Sequence, residues 1–201
     1  MIGAAVLAGG MSSRLGFPKA LLRLGSGRTL IEDTVAKLRR LSDEVMVVAN
    51  EPVFGVYGAG RVPDLVPGAA SLGGIYTALA SARHGRVIVV GCDMPFLSTR
   101  LLAYLASLSP EMDVVAPRID GYPEPLHAVY GRACLPAIEA RVKAGQLKII
   151  GFYAEVRVRY VDEPELRRID PELRSFRNVN TPELVRAAVE IVEREGIAAL
   201  G

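Results

Sequence analysis

Cysteine and histidine are scarce in this sequence, which contains only Cys92, Cys134, His84 and His127. Two thiols cannot form a metal cage or a disulfide framework. Cys92 follows an apolar stretch and is interpreted as a small buried residue rather than a nucleophile. No arrangement of serine, histidine and aspartate suggests a hydrolytic triad. We therefore look for the chemistry of this chain in its charged and glycine-rich segments.

Positive and negative charges nearly balance, because the formal net charge is only +2 at pH 7. The basic residues are spread along the chain, so neither a nucleic acid nor a membrane surface is predicted as a partner. No apolar run approaches membrane-spanning length. The first residues lack the basic and small-residue pattern of a secretory leader. Together with the low cysteine content, these absences predict a protein of the reducing cytoplasm.

The sequence does have a large apolar fraction, 50% of 201 residues, and no low-complexity tract. Such a chain is long enough to bury one substantial core, so we predict a single domain over residues 1–201. Apolar runs predict strands over residues 2–6, 44–49, 86–90 and 112–116, and helical spacing predicts helices over 29–41, 71–83, 98–108 and 135–144.

Strands that are apolar throughout and alternate with helices predict a mixed, mainly parallel sheet covered on both faces, which is a three-layer α/β/α fold. Helix starts are predicted from the N-cap residues Ser71, Ser98 and Thr181, and a helix end from Gly145. Residues 118–125 are rich in turn formers. Since ligands bind beyond the carboxyl ends of parallel strands, the segments that follow the strands should share one rim.

The most informative segment is LAGGMSSRLGFPK, residues 7–19, directly behind the first predicted strand. Gly9 and Gly10 allow the backbone to approach a ligand closely, and successive N–H groups in such a loop attract anions. Arg14 offers a planar fork of donors and Lys19 a compact charge. The segment is neither a P-loop nor a G-x-G-x-x-G dinucleotide fingerprint. It predicts a phosphate-binding loop, and the alternative is an ordinary glycine-rich turn.

The Leu-Ala-Gly-Gly, Ser-x-Arg and Gly-x-x-Lys of this loop resemble the signature loop of the nucleotidyltransferases that activate sugars and cofactors. Three further segments are similar to the molybdenum cofactor guanylyltransferases, the family of molybdopterin-guanine dinucleotide biosynthesis protein A. They are GCDMPF at 91–96, PEPLHAVY at 123–130 and FRNVNTPE at 176–183. The resemblance covers nearly the whole chain and implies a Rossmann-like nucleotidyltransferase fold.

The resemblance also implies an activity, the transfer of GMP from GTP to molybdenum-molybdopterin with release of pyrophosphate. Mg²⁺ would be the cofactor, and the partners would be the two substrates and proteins that deliver or accept the pterin cofactor. Backbone amides near Leu7, Ala8 and Gly9 would hold the nucleotide, together with Gly10 and Lys19. The first half of the chain would thus bind the nucleotide and the second half the acceptor.

One position departs from the family pattern. The family usually has an aspartate immediately before the lysine, and this chain has Pro18. The related cytidylyltransferases commonly carry proline there, but they tend to have Leu-Ala-Ala-Gly in the loop. A cytidylyltransferase or a sugar nucleotidyltransferase is therefore the alternative enzyme. A regulatory nucleotide-binding subunit without turnover is the alternative outside enzymes, although such a protein need not retain Arg14, Lys19 and Asp93.

Asp93 is the candidate metal ligand. It closely follows the strand predicted over 86–90, and Mg²⁺ prefers oxygen ligands, commonly one or two carboxylates together with substrate phosphates. The resemblance assigns a matching aspartate to both metal and nucleotide. The alternative is an aspartate that caps the turn before Pro95. Arg14, Lys19 and Asp93 form the predicted catalytic set.

Asp64 is a further candidate for nucleotide binding, because the family has a similar aspartate before a glycine-rich helix start. Gly73 and Gly74 would let the amino end of that helix approach a substrate closely. The alternative is a turn aspartate beside a tightly packed helix. Asn50 closes the second predicted strand, where it would contact the base or ribose or simply belong to a turn.

The acceptor is expected to contact Pro125, His127, Asn178 and Asn180. The two asparagines could bind metal, phosphate or pterin, since an amide both donates and accepts hydrogen bonds, or they could form a turn before Thr181. A structural or substrate-contact role is predicted for His127, and a surface position for His84. A general base is not required, because the attacking phosphate monoester has a second pKa of about 6 and is largely a dianion at neutral pH.

Overall fold

The computed structural model describes residues 1–8, 18–25, 27–51, 58–108 and 110–196. Within these ranges the chain forms one eight-stranded sheet. The strands are β1 (Gly3–Leu7), β2 (Val45–Val48), β3 (Gly60–Val62), β4 (Arg86–Gly91), β5 (Val114–Ile119), β6 (Tyr122–Pro123), β7 (His127–Gly131) and β8 (Val158–Asp162).

The strand order is β3-β2-β1-β4-β7-β5-β6, with β8 also paired to β5. Strands β3, β2, β1 and β4 run parallel, and β8 runs parallel to β5. Strand β7 is antiparallel to both β4 and β5, and β6 is antiparallel to β5. The predicted mixed, mainly parallel sheet is confirmed, and its parallel part places the carboxyl ends of β1, β2 and β4 side by side.

Helices cover both faces of the sheet. They are α1 (Leu30–Leu38), α2 (Ala70–Ser81), α3 (Thr99–Ser107), α4 (Leu135–Lys143), α5 (Glu163–Leu166) and α6 (Pro182–Glu195). Val6 of β1 packs with residues of α1 and α3 in one buried cluster, and its neighbour Ala5 packs with residues of α2 and α4 in another. This alternation follows from the two-residue period of a strand, and the three-layer prediction is confirmed.

Most predicted helix boundaries hold. Ser98 and Thr181 accept hydrogen bonds from the backbone N–H groups three residues later, as N-caps do. Gly145 has a φ of +68° and ends α4. The prediction that Ser71 caps α2 was wrong. That helix begins at Ala70, because the preceding turn already bends the chain at Gly68, so Ser71 lies inside the first helical turn.

Several strands were not predicted from the sequence. Strand β7 is fully buried and lies between β4 and β5, whereas the sequence predicts only an acceptor-binding segment there and no strand. The turn-rich region 118–125 is a hairpin whose corner is Asp120-Gly121, with φ values of +49° and +81°. Positive φ at both corner residues is typical of the tight hairpin turn that Asp-Gly favours. None of the helices in the described ranges has the length and apolar character of a transmembrane segment.

Candidate active site

The candidate site lies on the rim formed by the carboxyl ends of β1, β2 and β4. Leu7, the last residue of β1, pairs with Val48 of β2 and with Gly91 of β4. The N–H of Cys92 donates to the Leu7 carbonyl at 3.3 Å, and the N–H of Ala8 donates to the Val48 carbonyl at 3.1 Å. The strand ends are therefore joined beyond the sheet, which brings the start of the 7–19 loop next to Asp93.

Three predicted site residues that are far apart in the sequence meet at this rim. Lys19 Nζ lies 3.0 Å from Asp93 Oδ2 and also donates a hydrogen bond to Asn180 Oδ1. The side chains of Lys19 and Asp93 are 22% and 19% exposed, so bulk water screens their attraction only partly. The N–H of Val179 donates to the Asp93 carbonyl at 2.9 Å. This contact holds the C-terminal segment against the turn that carries Asp93.

A cavity of about 150 Å³ opens beside this cluster. It is smaller than the roughly 300–1,000 Å³ of typical ligand pockets, so its size suits a phosphate group rather than a whole nucleotide. It is lined by Leu7, Ala8, Pro18, Lys19, Ala20, Ser71, Gly91, Cys92, Asp93 and Leu126. Burial raises the pKa of the Cys92 thiol to about 12, and nearby Asp93 acts in the same direction. This thiol is therefore protonated at neutral pH, in agreement with its interpretation as a non-nucleophilic residue.

A second cavity, of about 430 Å³, adjoins the first, and Leu7 and Ser71 line both. Its other lining residues are Val48, Ala49, Asn50, Asp64, Gly68, Ala70 and Gly74. It lies between β2 and the amino end of α2. The combination of apolar walls and a few polar groups, together with its volume, is typical of a site for a small organic ligand.

Asp64 and Asn50 hold each other in place at the wall of the second cavity. Asn50 Oδ1 accepts a hydrogen bond from the Asp64 N–H at 2.9 Å. Asp64 Oδ1 accepts from the Val66 N–H at 3.0 Å and from the buried Thr77 hydroxyl at 2.9 Å. One carboxylate oxygen of Asp64 is thus used to shape the turn before α2. The structure gives Asp64 a structural task and also places it at a cavity.

Gly73 and Gly74 allow α2 to pack tightly at this rim. A Cβ atom on Gly73 would lie 2.9 Å from the Val66 carbonyl oxygen, and one on Gly74 would lie 3.1 Å from Leu7 Cδ1. Both residues are buried, and only Gly74 lines a cavity. Both glycines therefore have the packing role that was the alternative to substrate binding, and Gly74 also lines the second cavity.

Two residues predicted to contact the acceptor lie outside the two cavities. His127 is fully buried on β7, with its ring centroid 4.7 Å from that of Phe176. Burial lowers the pKa of His127 to about 3, so its ring is neutral. Neither ring nitrogen has a hydrogen-bond partner among the described residues. The Pro125 carbonyl accepts a hydrogen bond from the buried Tyr130 hydroxyl at 2.7 Å, and Leu126, between Pro125 and His127, lines the small cavity.

The remaining predicted residues are dispersed. Asn178 lines a separate groove with Phe96, Phe176 and Leu184, whereas Asn180 bonds Lys19. Gly9, Gly10 and Arg14 lie outside the described residues. His84 Nε2 lies 3.0 Å from Asp43 Oδ1, away from both cavities.

Sequence reasoning missed two residues of the site. A Cβ on Gly91 would lie 2.7 Å from Asp93 Oδ1, so the lack of a side chain at Gly91 makes room for that carboxylate. Its position between an apolar strand and Cys-Asp could have suggested this role. Ser71, read as a cap, lines both cavities instead, and no local pattern indicates that placement.

Comparison with known proteins identifies the family of this chain. A family model described as "MobA-like NTP transferase domain" matches residues 4–157. The "probable molybdenum cofactor guanylyltransferase" of Pelotomaculum thermopropionicum is 40% identical over 186 residues, covering 92% of this chain and 90% of that protein. The molybdenum cofactor guanylyltransferase of Desulfosudis oleivorans is 36% identical over 185 residues, covering 91% and 92%.

A solved structure of a protein with a similar name also resembles this chain. The crystal structure of molybdopterin-guanine dinucleotide biosynthesis protein A from Archaeoglobus fulgidus superimposes with a TM-score of 0.85 at 31% identity, covering 96% of this chain and 100% of that one. The family resemblance predicted from the motifs is confirmed. The chain belongs to the MobA-like family of NTP transferases.

Proposed function

We propose that this protein transfers GMP from GTP to molybdenum-molybdopterin. An oxygen of the pterin's phosphate attacks the α-phosphorus of GTP, the bond from that phosphorus to the α–β bridging oxygen breaks, and pyrophosphate leaves. The observation that carries the proposal is the meeting of Lys19, Asp93 and Asn180 beside two adjoining cavities. The names of the similar proteins support GMP as the transferred group.

The larger cavity is proposed to hold the nucleoside and the smaller one the phosphates. Leu7 lines both cavities, and Ala8 lines the smaller one. They act through their side chains, since the Ala8 N–H is already bonded to Val48. Asn50 and Asp64 would contact the base or ribose through Asn50 Nδ2 and Asp64 Oδ2, since the described side-chain hydrogen bonds use Asn50 Oδ1 and Asp64 Oδ1. Gly9 and Gly10 complete the phosphate-binding loop in this proposal.

Charge neutralisation is the main task of the protein in this reaction. Two phosphate groups that both carry negative charge must approach, and positioning with electrostatic stabilisation dominates phosphoryl transfer. Lys19 is proposed to leave Asp93 and contact the triphosphate, with Arg14 as the second cation. Because the attacking phosphate is already largely ionised at neutral pH, the reaction does not require a general base from the protein.

The described residues fit a magnesium ion held largely by substrate. Asp93 and Asn180 present oxygen atoms to the same point, occupied by the Lys19 ammonium. No group of three or more His, Cys, Asp or Glu residues that could enclose a metal occurs in the described ranges, and Mg²⁺ commonly takes only one or two protein carboxylates. Mg²⁺ would supply Lewis-acid neutralisation of the phosphate oxygens when bound, and Asp93 would hold it.

The acceptor is proposed to lie on the side of Asn180. The segment 176–180 packs on the Asp93 turn through Val179, so a pterin phosphate at this segment would reach the α-phosphate. Asn178 would contact the pterin, and Pro125 and His127 would shape the wall behind it through Leu126. The proposed location is the cytoplasm, where both free cysteines stay reduced and proteins that deliver or accept the pterin would be partners.

A nucleotide panel tests the choice of GTP. Thermal unfolding is measured with each NTP, with and without Mg²⁺, and a ligand at a hundred times its dissociation constant adds about 2.7 kcal/mol of apparent stability. GTP with Mg²⁺ should raise the unfolding temperature most. Stabilisation by CTP alone would favour the cytidylyltransferase alternative, which Pro18 at the wall of the small cavity already suggests. Pyrophosphate release that requires both GTP and molybdenum-molybdopterin would separate an enzyme from a binding subunit.

A further inference from the structure

A buried lysine of α1 reaches the turn that carries Asp93. Lys37 is only 6% exposed, and its Nζ donates a hydrogen bond to the Pro95 carbonyl oxygen at 2.8 Å. Lysine is almost never buried to this degree unless its charge is paired or hydrogen-bonded. The contact links the helix layer to the loop between β4 and α3, two residues beyond the proposed metal ligand.

The burial of Lys37 is costly for the fold. Burial lowers the pKa of its amine to about 8, although Asp33 one turn earlier acts in the opposite direction, so most of the amine remains charged at neutral pH. Lys37 lies in the last turn of α1, where the helix dipole favours a cation. A methionine of similar length would fill the space without a buried charge, but it would leave the Pro95 carbonyl without this donor, which is itself costly. The lysine therefore combines a desolvation cost with a specific contact to the turn.

The backbone of the turn that Lys37 contacts, residues 93–98, makes three described hydrogen bonds with α1 and the C-terminal segment. The Asp93 carbonyl accepts from the Val179 N–H at 2.9 Å, and the Ser98 N–H donates to the Ser175 hydroxyl at 3.2 Å. Both of these bonds come from the C-terminal segment. Lys37 supplies the third, at the centre of the turn and from α1. Since Pro95 has no N–H, its carbonyl is the one backbone group through which this residue can be held.

We infer that Lys37 is a positioning residue, which fixes the Asp93 carboxylate for a metal–nucleotide complex by holding the Pro95 carbonyl from α1. The inference rests on the proposed function, because it takes Asp93 as the ligand of that complex. Lys37 itself does not line either cavity. Its effect reaches the site through the backbone of residues 93–95, in the way that outer partners orient the ligands of a metal.

The test is calorimetric titration of GTP, with and without Mg²⁺, into the full-length protein and its Lys37→Met variant. GTP binding without Mg²⁺ should change less than twofold, because Lys37 is not among the residues that line the larger cavity. The tightening of GTP binding by Mg²⁺ should fall by about tenfold, as for loss of an outer partner of a metal ligand. The unfolding temperature should stay within about 4 °C or rise. Hydrogen exchange of residues 92–98 should become faster.

Thr34→Val is the matched control. Thr34 is also buried in α1, and its hydroxyl donates to the Leu30 carbonyl at 2.8 Å within the same helix. This variant should lose stability and keep the full Mg²⁺ effect. A Lys37→Met variant with lower stability and an unchanged Mg²⁺ effect would overturn the inference. If Lys37→Met does not fold, the same titration is carried out with Lys37→Arg, because the larger guanidinium group at this site must displace the Pro95 carbonyl. An unchanged Mg²⁺ effect in folded Lys37→Arg would also overturn the inference.

Different results would contradict the proposed function and the role of Lys37. Wild-type protein whose GTP binding does not respond to Mg²⁺ would contradict the proposed function, and with it the role assigned to Asp93. Wild-type protein that responds to Mg²⁺, beside a Lys37→Met variant that responds equally, would contradict only the role of Lys37.

Discussion

Lys19 Nζ lies 3.0 Å from Asp93 Oδ2. The cation proposed to bind phosphate and the carboxylate proposed to bind metal thus form an ion pair with each other. Neither remains an unpaired, half-buried charge, which would be costly. A triphosphate that attracts Lys19 would free Asp93 for the metal, so the two ligands should bind more tightly together than apart.

Lys19→Ala should separate these effects. Binding of free Mn²⁺, a spectroscopic substitute for Mg²⁺, should become tighter because Asp93 loses its internal partner. The kcat/KM for GTP should fall by about a hundredfold, a common cost of losing a group that stabilises charge in the transition state. Paramagnetic resonance of Mn²⁺ and a pyrophosphate assay measure the two quantities. Near-normal turnover in a folded variant would show that Lys19 is a solvated surface charge.

Gly91→Ala should displace the Asp93 carboxylate from its present position. The added Cβ would lie 2.7 Å from Asp93 Oδ1, closer than real contacts allow, so the carboxylate must move. We expect Mg²⁺-dependent GTP binding to weaken by about tenfold or more, as measured by calorimetry. Gly85→Ala is the control, because a Cβ there meets no atom within 4 Å. Equal metal dependence in the two variants would show that Asp93 does not need its present position.

Much of this architecture could be predicted from the sequence. Strands such as β1 and β4 are apolar throughout and flanked by helices, so their type and their shared rim follow from pattern alone. Strand β7 could not be recognised, because its five residues include a histidine, a tyrosine and a glycine and carry no alternation. Its place between β4 and β5 depends on contacts distant in sequence.

The candidate site likewise contains some residues that could be predicted from the sequence and others that could not. Lys19, Asp93 and Asn180 could be selected from local motifs, and the structure brings them together. The roles of Gly91 and Lys37 depend on distances across the fold, from a strand end to a carboxylate and from a helix to a turn. No local spacing contains that information.

His127 predicts a dependence of stability on pH. Its pKa of about 3 in the folded protein lies below the ordinary value of 6.5, so the unfolded chain binds more protons between these values. Stability should be fully present above about pH 6.5 and fall as the pH decreases toward 3, by up to roughly 5 kcal/mol at 1.36 kcal/mol per pKa unit.

His127→Leu provides the measurement. Both ring nitrogens lack partners among the described residues, so an apolar side chain of similar size should leave the protein as stable or more stable at pH 7. Denaturant unfolding at pH 5 and pH 7 should show a smaller difference in the variant than in the wild type. A strongly destabilised variant at pH 7 would indicate that the imidazole has a hydrogen-bonding role.

The central claim is that Asp93 holds the metal of the GTP complex, and Asp93→Asn tests it most directly. Calorimetric titration of GTP with and without Mg²⁺ is compared for the wild type, this variant and Asp162→Asn. Asp162 pairs with Arg118 at 2.7 Å on strand β8, apart from both cavities, so that variant serves as the control. We predict that Mg²⁺ tightens GTP binding in the wild type and in Asp162→Asn, and that Asp93→Asn loses this tightening while unfolding at nearly the same temperature. Undiminished Mg²⁺ dependence in folded Asp93→Asn would contradict the account.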